Sequence, residues 1–157
     1  MTRDVSTNES QLAAHAALLA RVTSAREIFE TTLQIGLGNT STRGSCLLAA
    51  ILLRRFVENW ESGFDTRIRG GDGVRDGGYV DADGVAHGHY WVEACMPARR
   101  SRPAQYWVAD ITADQFGAPP AQVLTLPDAE RHYRPGSQHL VDAHVMSELA
   151  ALGWAAA

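Results

Sequence analysis

Residues 42–53 read Thr-Arg-Gly-Ser-Cys-Leu-Leu-Ala-Ala-Ile-Leu-Leu, a turn-forming sequence that runs directly into an apolar helical pattern. Gly44 marks the turn, and Cys46 lies where the helix is expected to begin. The N–H groups at the start of a helix carry partial positive charge, which favours the thiolate form of a cysteine placed there. This stretch therefore predicts a buried helix that presents a reactive sulfur at its first turn.

Composition places the chain among ordinary globular proteins. It has 157 residues, 45% of them hydrophobic and 20% charged, so we expect a single domain over residues 1–157. The formal net charge of −4 provides no broad basic surface, which argues against nucleic acid and anionic membranes as partners. There are two cysteines, Cys46 and Cys95, and no Cys-x-x-Cys pair, so neither a disulfide framework nor a zinc site is indicated. We expect no metal and no cofactor.

The first residues are polar and lack the basic start and apolar core of a signal peptide. No apolar run reaches the length that a membrane-spanning helix needs. We therefore expect a cytoplasmic protein with free thiols, and export by a specialised route stays open. Residues 1–8 are expected to form a disordered tail. No pattern in the sequence indicates an oligomeric state.

The order of the expected elements predicts an α+β fold. Apolar residues at helical spacing predict a first helix over residues 9–35, with a break near residues 22–24, where Ser24 and Glu27 have capping-box spacing. Further helices are expected over residues 45–61 and 141–154. Strands are expected over residues 64–69, 79–80, 89–95, 105–111 and 122–126. Helices followed by a mostly antiparallel sheet are typical of the α+β class.

Three residues are candidates for a cysteine-based catalytic site. A cysteine nucleophile needs a base beside it and a third group that orients the base. His89 begins one predicted strand, and Asp110 lies near the end of the next strong strand. Neighbouring strands lie about 4.8 Å apart, so these side chains can form a hydrogen bond, and a helix across the sheet edge can bring Cys46 to the imidazole. His87 rivals His89, because residues two apart share one face of an extended chain.

At these positions the sequence resembles the transglutaminase-like branch of the papain-like cysteine enzymes. The resemblance covers residues 43–117 and lies in three motifs: Gly-Ser-Cys at 44–46, His-Tyr-Trp-Val-Glu at 89–93 and Trp-Val-Ala-Asp-Ile-Thr at 107–112. It implies a papain-like fold in which the nucleophile helix packs on an antiparallel sheet. It also implies that Cys46 is the nucleophile, His89 the general base and acid, and Asp110 the residue that orients the histidine.

Four further residues are candidates for substrate binding or for the oxyanion hole: Asn39, Ser45, Trp91 and Gln115. The backbone N–H of the nucleophile would be one oxyanion donor, because helix N-termini present free donors. Asn39 precedes the helix, where related enzymes sometimes place an amide side chain, and Ser45 adjoins the nucleophile. Trp91 is interpreted as a core residue or a pocket wall, and Gln115 as a substrate contact or part of a turn.

The resemblance implies a thiol hydrolase that acts on an amide bond through a thioester, as a peptidase, an amidase or a glutamine deamidase. The expected partner is a peptide or protein substrate. Two alternatives stay open. An amine acceptor in place of water would make the chain a transglutaminase or acyltransferase, and a chain that kept the fold with an inert Cys46 would be a non-catalytic binding module.

Overall fold

The structure, a computed structural model, describes residues 3–38, 41–58, 63–100 and 102–154. Its elements are, in order, α1 (Arg3–Leu37), α2 (Cys46–Glu58), β1 (Asp65–Gly71), β2 (Gly78–Val80), β3 (Ala86–His87), β4 (His89–Met96), β5 (Gln105–Asp110), a 3₁₀ helix (Ala113–Phe116), β6 (Gln122–Thr125), α3 (Leu126–Ala129), β7 (Tyr133–Arg134) and α4 (Gln138–Ala151). The prediction of a mixed α+β fold, with an N-terminal helix packed on an antiparallel sheet, is confirmed.

The first helix is one continuous element, which corrects two expectations. Its buried side chains recur every three or four residues and form a single stripe: Ala14, Leu18, Val22, Ala25, Phe29 and Leu33. The expected break near residues 22–24 is absent, because Val22 lies in the middle of this stripe and is fully buried. The expected tail over residues 1–8 is wrong from residue 3 onward, since the helix begins at Arg3.

The second helix begins at the cysteine, as its turn-then-apolar sequence predicts. It buries Ala49, Ala50, Ile51, Leu53 and Val57, which lie on more than one side of the helix. This helix contacts α1, α4, β1 and β4, so it occupies the centre of the fold. Its expected last residues, 59–61, lie outside the described residues.

The main sheet has the strand order β1-β4-β5-β6, and every neighbouring pair is antiparallel. Successive side chains of a strand point to opposite faces. One face carries Val92, Ala94 and Trp107, which pack against α1 and α2. The other face carries Trp91 and Val108, which pack in a separate cluster. His89 and Asp110 belong by this alternation to the second face.

A three-stranded sheet with the order β3-β2-β7 covers the second face. It contributes Tyr79 and Tyr133 to the cluster around Trp91. At the end of the main sheet, Gly70 pairs with Tyr90 across β1 and β4. A Cβ at Gly70 would lie 2.3 Å from the carbonyl oxygen of His89, so this end of the sheet requires a glycine.

The last helix runs from Gln138 to Ala151, three residues earlier at each end than the expected 141–154. Its buried Val141 packs with Ile51 of α2 and Ile68 of β1. Within the described parts of the chain, no helix combines the length and the apolar character needed to cross a membrane.

Candidate active site

Cys46 is the first residue of α2, and its thiol is partly exposed. Gly44 has φ 79°, the left-handed conformation that lets the chain turn into the helix. The first backbone bond of the helix runs from the N–H of Ala49 to the carbonyl oxygen of Ser45, at 2.9 Å. The N–H groups of residues 46–48 therefore precede the helical bonding pattern and point out of the helix start. The thiol lies beside these donors.

His89 and Asp110 form a buried ion pair across adjacent strands. His89 Nε2 lies 2.6 Å from Asp110 Oδ2, and the side chains are 0% and 2% exposed. The bond joins the first residue of β4 to the last residue of β5, which lie at one end of an antiparallel pair. The register of the pair, with Val92 opposite Ala109, places Asp110 opposite Trp91, so His89 reaches it diagonally across one face and not from the matched height that the sequence suggested.

The carboxylate of Asp110 accepts hydrogen bonds at both of its oxygens. Tyr133 Oη donates to Oδ2 at 2.7 Å, and the N–H of Thr112 donates to Oδ1 at 2.9 Å. Gln122 Nε2 in turn donates to Tyr133 Oη at 2.6 Å. Burial favours the neutral acid, but the charge and hydrogen bond of His89, with the Thr112 and Tyr133 bonds, outweigh it and lower the pKa of Asp110. The group therefore remains a carboxylate at neutral pH.

The imidazole of His89 contacts a different residue at each nitrogen. Asp110 occupies Nε2, and the amide nitrogen of Gln115 lies 3.5 Å from Nδ1. Burial lowers the pKa of His89, but the charge and hydrogen bond of Asp110, followed by the hydrogen bond and charge of Cys46, raise it to about 9. An imidazolium between a carboxylate and a sulfur can give a proton to a leaving group and recover it later.

A column of aromatic rings encloses this imidazole. The rings of His132, Tyr79, Phe116 and His87 stack in that order, with successive centroids 5.4, 4.6 and 4.8 Å apart. His89 meets Tyr79 and Phe116 at interplanar angles of 81° and 88°, so it lies at right angles to the column. Rings in this position exclude water from the ion pair and strengthen its electrostatic interaction.

The structure separates the two candidate histidines. His87 Nε2 lies 2.7 Å from Asp81 Oδ2 in the hairpin turn, whereas His89 bonds Asp110. The ring of His87 stacks on Phe116, which stands between it and His89. Of the two, His89 is therefore the one that lies between a buried carboxylate and the cysteine.

The secondary candidates have different environments. Gln115 Nε2 donates to the carbonyl oxygen of Thr112 at 2.9 Å and lies 3.5 Å from His89 Nδ1, so its amide is beside the imidazole nitrogen that Asp110 does not occupy. Trp91 is 2% exposed and packs behind the ring, which makes it a core residue rather than a substrate contact. Ser45 donates its hydroxyl to the carbonyl oxygen of Thr42 within the turn. Asn39 lies outside the described residues.

Sequence reasoning missed Tyr133 and Arg26, and it passed over Thr112 as a ligand of the aspartate. Thr112 could have been found, because an aspartate commonly accepts from the N–H two residues on. Tyr133 lies 23 residues after Asp110, and Arg26 lies 88 residues before its partner Asp114, so no local signal joins them. Within the described part of the chain, no cluster of three or more His, Cys, Asp or Glu side chains is arranged to hold a metal ion.

The second cysteine is remote from this site. Cys95 lies six residues along β4 from His89, which is about 20 Å at ~3.3 Å per residue. It is partly exposed and pairs with Tyr106 across the sheet.

Comparison with known proteins finds no matching family model, no matching curated protein and no matching solved structure.

Proposed function

We propose that the chain is a cysteine-dependent enzyme of the transglutaminase-like type, which cleaves an amide bond and transfers the acyl group to water. One observation carries the proposal: His89 is held at Nε2 by the buried carboxylate of Asp110, and its imidazole also interacts with Cys46. A nucleophile, a base and a residue that orients the base are the parts that covalent acyl transfer needs.

The chemistry follows from these positions. The sulfur of Cys46 attacks the amide carbonyl carbon, and the proton held at His89 Nδ1 passes to the leaving amine as the C–N bond breaks. A thioester remains on the sulfur. Water then attacks it, His89 takes a proton from that water, and the C–S bond breaks to give a carboxylic acid and the free thiol. Asp110 keeps the imidazole oriented and stabilises its charged form throughout.

The negative oxygen of the tetrahedral intermediate needs donors beside the sulfur. The backbone N–H of Cys46 is available because it precedes the first helical bond. Gln115 is the second donor that we propose, since its amide nitrogen lies 3.5 Å from Nδ1, the imidazole nitrogen that Asp110 does not occupy. Gln115 thus takes the role that the sequence also allowed for Asn39.

The burial of the site indicates how the substrate reaches it. His89 is fully buried, whereas Cys46 is partly exposed, so the reacting carbonyl has to approach from the thiol side. A carboxamide at the end of a side chain, or at an exposed chain terminus, can enter such a site without unfolding its carrier. A peptide or protein substrate with an accessible amide is therefore our proposed class.

Intact-mass spectrometry tests the proposal. The protein is mixed with peptides that carry glutamine or a terminal carboxamide, quenched in acid and mapped for acylated cysteine. We expect the acyl group on Cys46 in the wild-type chain and in Cys95→Ala, and none in Cys46→Ala. A product that is the free acid identifies water as the acceptor, and a new amide identifies an amine. If alkylation of Cys46 by iodoacetamide is no faster than that of a model thiol, and if no donor acylates it, the chain is a binding module with an inert cysteine.

A further inference from the structure

Arg26 is a charged residue of α1 that is 8% exposed, and all three nitrogens of its guanidinium donate hydrogen bonds. Nε donates to Glu30 Oε1 at 2.7 Å. Nη1 and Nη2 make a two-pronged contact with Asp114 Oδ1 and Oδ2, at 2.9 and 2.7 Å. Nη1 also donates to the carbonyl oxygens of Ile111 and Pro120. A buried arginine with this many bonds fixes the position of whatever it holds.

What it holds is the segment 111–120, which follows the catalytic aspartate. Ile111 comes directly after Asp110, and Pro120 lies just before β6. Asp114 is in the 3₁₀ helix between them. The guanidinium therefore contacts the beginning, the middle and the end of this segment, and it does so from a different element, α1.

The same segment supplies three contacts to the ion pair. The N–H of Thr112 donates to the carboxylate of Asp110. The amide of Gln115 lies 3.5 Å from His89 Nδ1, and the ring of Phe116 packs against the imidazole with centroids 5.1 Å apart. Movement of the segment would displace all three groups together.

Asp114 also connects the segment to the turn before the cysteine helix. The hydroxyl of Thr42 donates to Asp114 Oδ1 at 3.3 Å, and the carbonyl oxygen of Thr42 accepts from Ser45. One carboxylate thus touches the guanidinium, the segment with Gln115 and the turn that leads into Cys46. The carboxylate of Asp114 therefore helps to fix the position of the Cys46 sulfur relative to the amide of Gln115.

We infer that Arg26 is a positioning residue of the proposed active site, which sets the placement of Gln115 at His89 through Asp114. The expected loss of kcat rests on the proposed function. The placement of the Gln115 amide by Arg26 rests on the geometry alone. Lysine cannot replace the arginine, because a single ammonium group cannot span both carboxylate oxygens and two carbonyl oxygens.

The first test is kinetic and uses Arg26→Lys, with Arg54→Lys as the matched control. Arg54 forms an i,i+4 pair with Glu58 at 2.8 Å on a partly exposed face, far from segment 111–120 in the chain. A misplaced catalytic group can cost on the order of 100-fold in rate. We expect Arg26→Lys to lower kcat by roughly 10- to 100-fold with little change in KM, and Arg54→Lys to leave kcat within about twofold.

A double-mutant cycle separates positioning from general destabilisation. If Arg26 acts through Gln115, Arg26→Lys adds little to the loss in kcat caused by Gln115→Ala, whereas independent effects would multiply. Multiplied effects, or a kcat unchanged in Arg26→Lys, would overturn the inference. If Arg26→Lys does not fold, Asp114→Asn serves in the same cycle, because it keeps the shape of the carboxylate and removes its charge.

A spectroscopic test does not depend on activity and is made in the Cys46→Ala background. The side-chain amide signals of Gln115 and the ring signals of His89 are recorded by NMR with and without Arg26→Lys. We expect both sets to shift, while the Arg54→Lys control leaves them in place. Unshifted signals refute the positioning role. Shifted signals, together with a native chain in which no donor acylates Cys46, support the positioning role and refute the proposed function, so the two failures are distinguishable.

Discussion

Replacing Asp110 with asparagine removes the charge that holds His89 protonated while keeping the shape of the side chain. In the native chain, burial lowers the pKa of His89, but Asp110 and Cys46 together raise it from the ordinary 6.5 to about 9. Without the carboxylate, both of its contributions are lost, while burial, the largest single influence, remains. We therefore expect the pKa of His89 to be clearly lower in Asp110→Asn than in the native chain.

The change corresponds to a measurable free energy. A pKa that moves from 6.5 to about 9 represents about 3 kcal/mol, at ~1.4 kcal/mol per pKa unit. Because the folded pKa of His89 is raised, this stabilisation is fully present below pH 6.5 and is lost as the pH rises through about 9. Because the pKa of Asp110 is lowered, its own contribution is present above 3.8 and is lost as the pH falls through the lowered value.

Two measurements check this prediction. NMR titration of the His89 ring gives its pKa directly, and denaturant unfolding between pH 6 and 10 gives the free energy. We expect the native free energy of unfolding to decline by about 3 kcal/mol as the pH rises from 6.5 to about 9, and this decline to be lost in Asp110→Asn. Asp81→Asn is the matched control, because Asp81 pairs with His87 and not with His89. If His89 keeps a pKa near 9 in Asp110→Asn, the carboxylate does not control the imidazole and the reasoning fails.

Three other substitutions probe the surroundings of the pair. Tyr133→Phe removes a 2.7 Å donor to the buried Asp110, so it should lower the free energy of unfolding by about 2 kcal/mol and leave a folded chain, as measured in urea. Gly70→Ala places a methyl group 2.3 Å from the carbonyl oxygen of His89 at a φ of 153°. We expect this change to lower the free energy of unfolding by more than about 2 kcal/mol and to lower the melting temperature. An unchanged melting temperature would mean that β1 and β4 are not paired as described. His87→Gln should retain acylation of the nucleophile within about threefold in a single-turnover assay, since a glutamine can still bond the turn, whereas His89→Gln should lose at least about 100-fold. Equal losses in the two histidine variants would contradict the assignment of the base.

Local periodicity was enough to predict the elements that carry the main site. Apolar residues after Gly44 predict the helix that begins at Cys46, and β-branched and aromatic residues after His89 predict β4. The order of these elements predicts their meeting at one sheet end. The extent of α1 was harder, because Ser24 forms a capping pattern that tertiary burial of Val22 overrides.

Contacts between distant parts of the chain could not be read from local patterns. The spacing of His87 and His89 predicts one shared face of an extended chain, but His87 ends β3 and His89 begins β4, in different sheets. The partner of each decides between them: Asp81 for His87 and Asp110 for His89. Arg26 looks like an ordinary charged residue of a long helix. Its role depends on a carboxylate 88 residues away, and only the folded structure brings the two together.

The most direct measurement of the central claim is the rate at which iodoacetamide alkylates Cys46 relative to Cys95 in the same molecule at neutral pH. Both thiols are partly exposed, so exposure alone predicts similar rates. We expect Cys46 to react at least about tenfold faster and His89→Gln to remove most of this difference, because thiolate character governs cysteine reactivity. Equal rates for the two cysteines in the native chain, or a fast Cys46 that ignores the loss of His89, would contradict it.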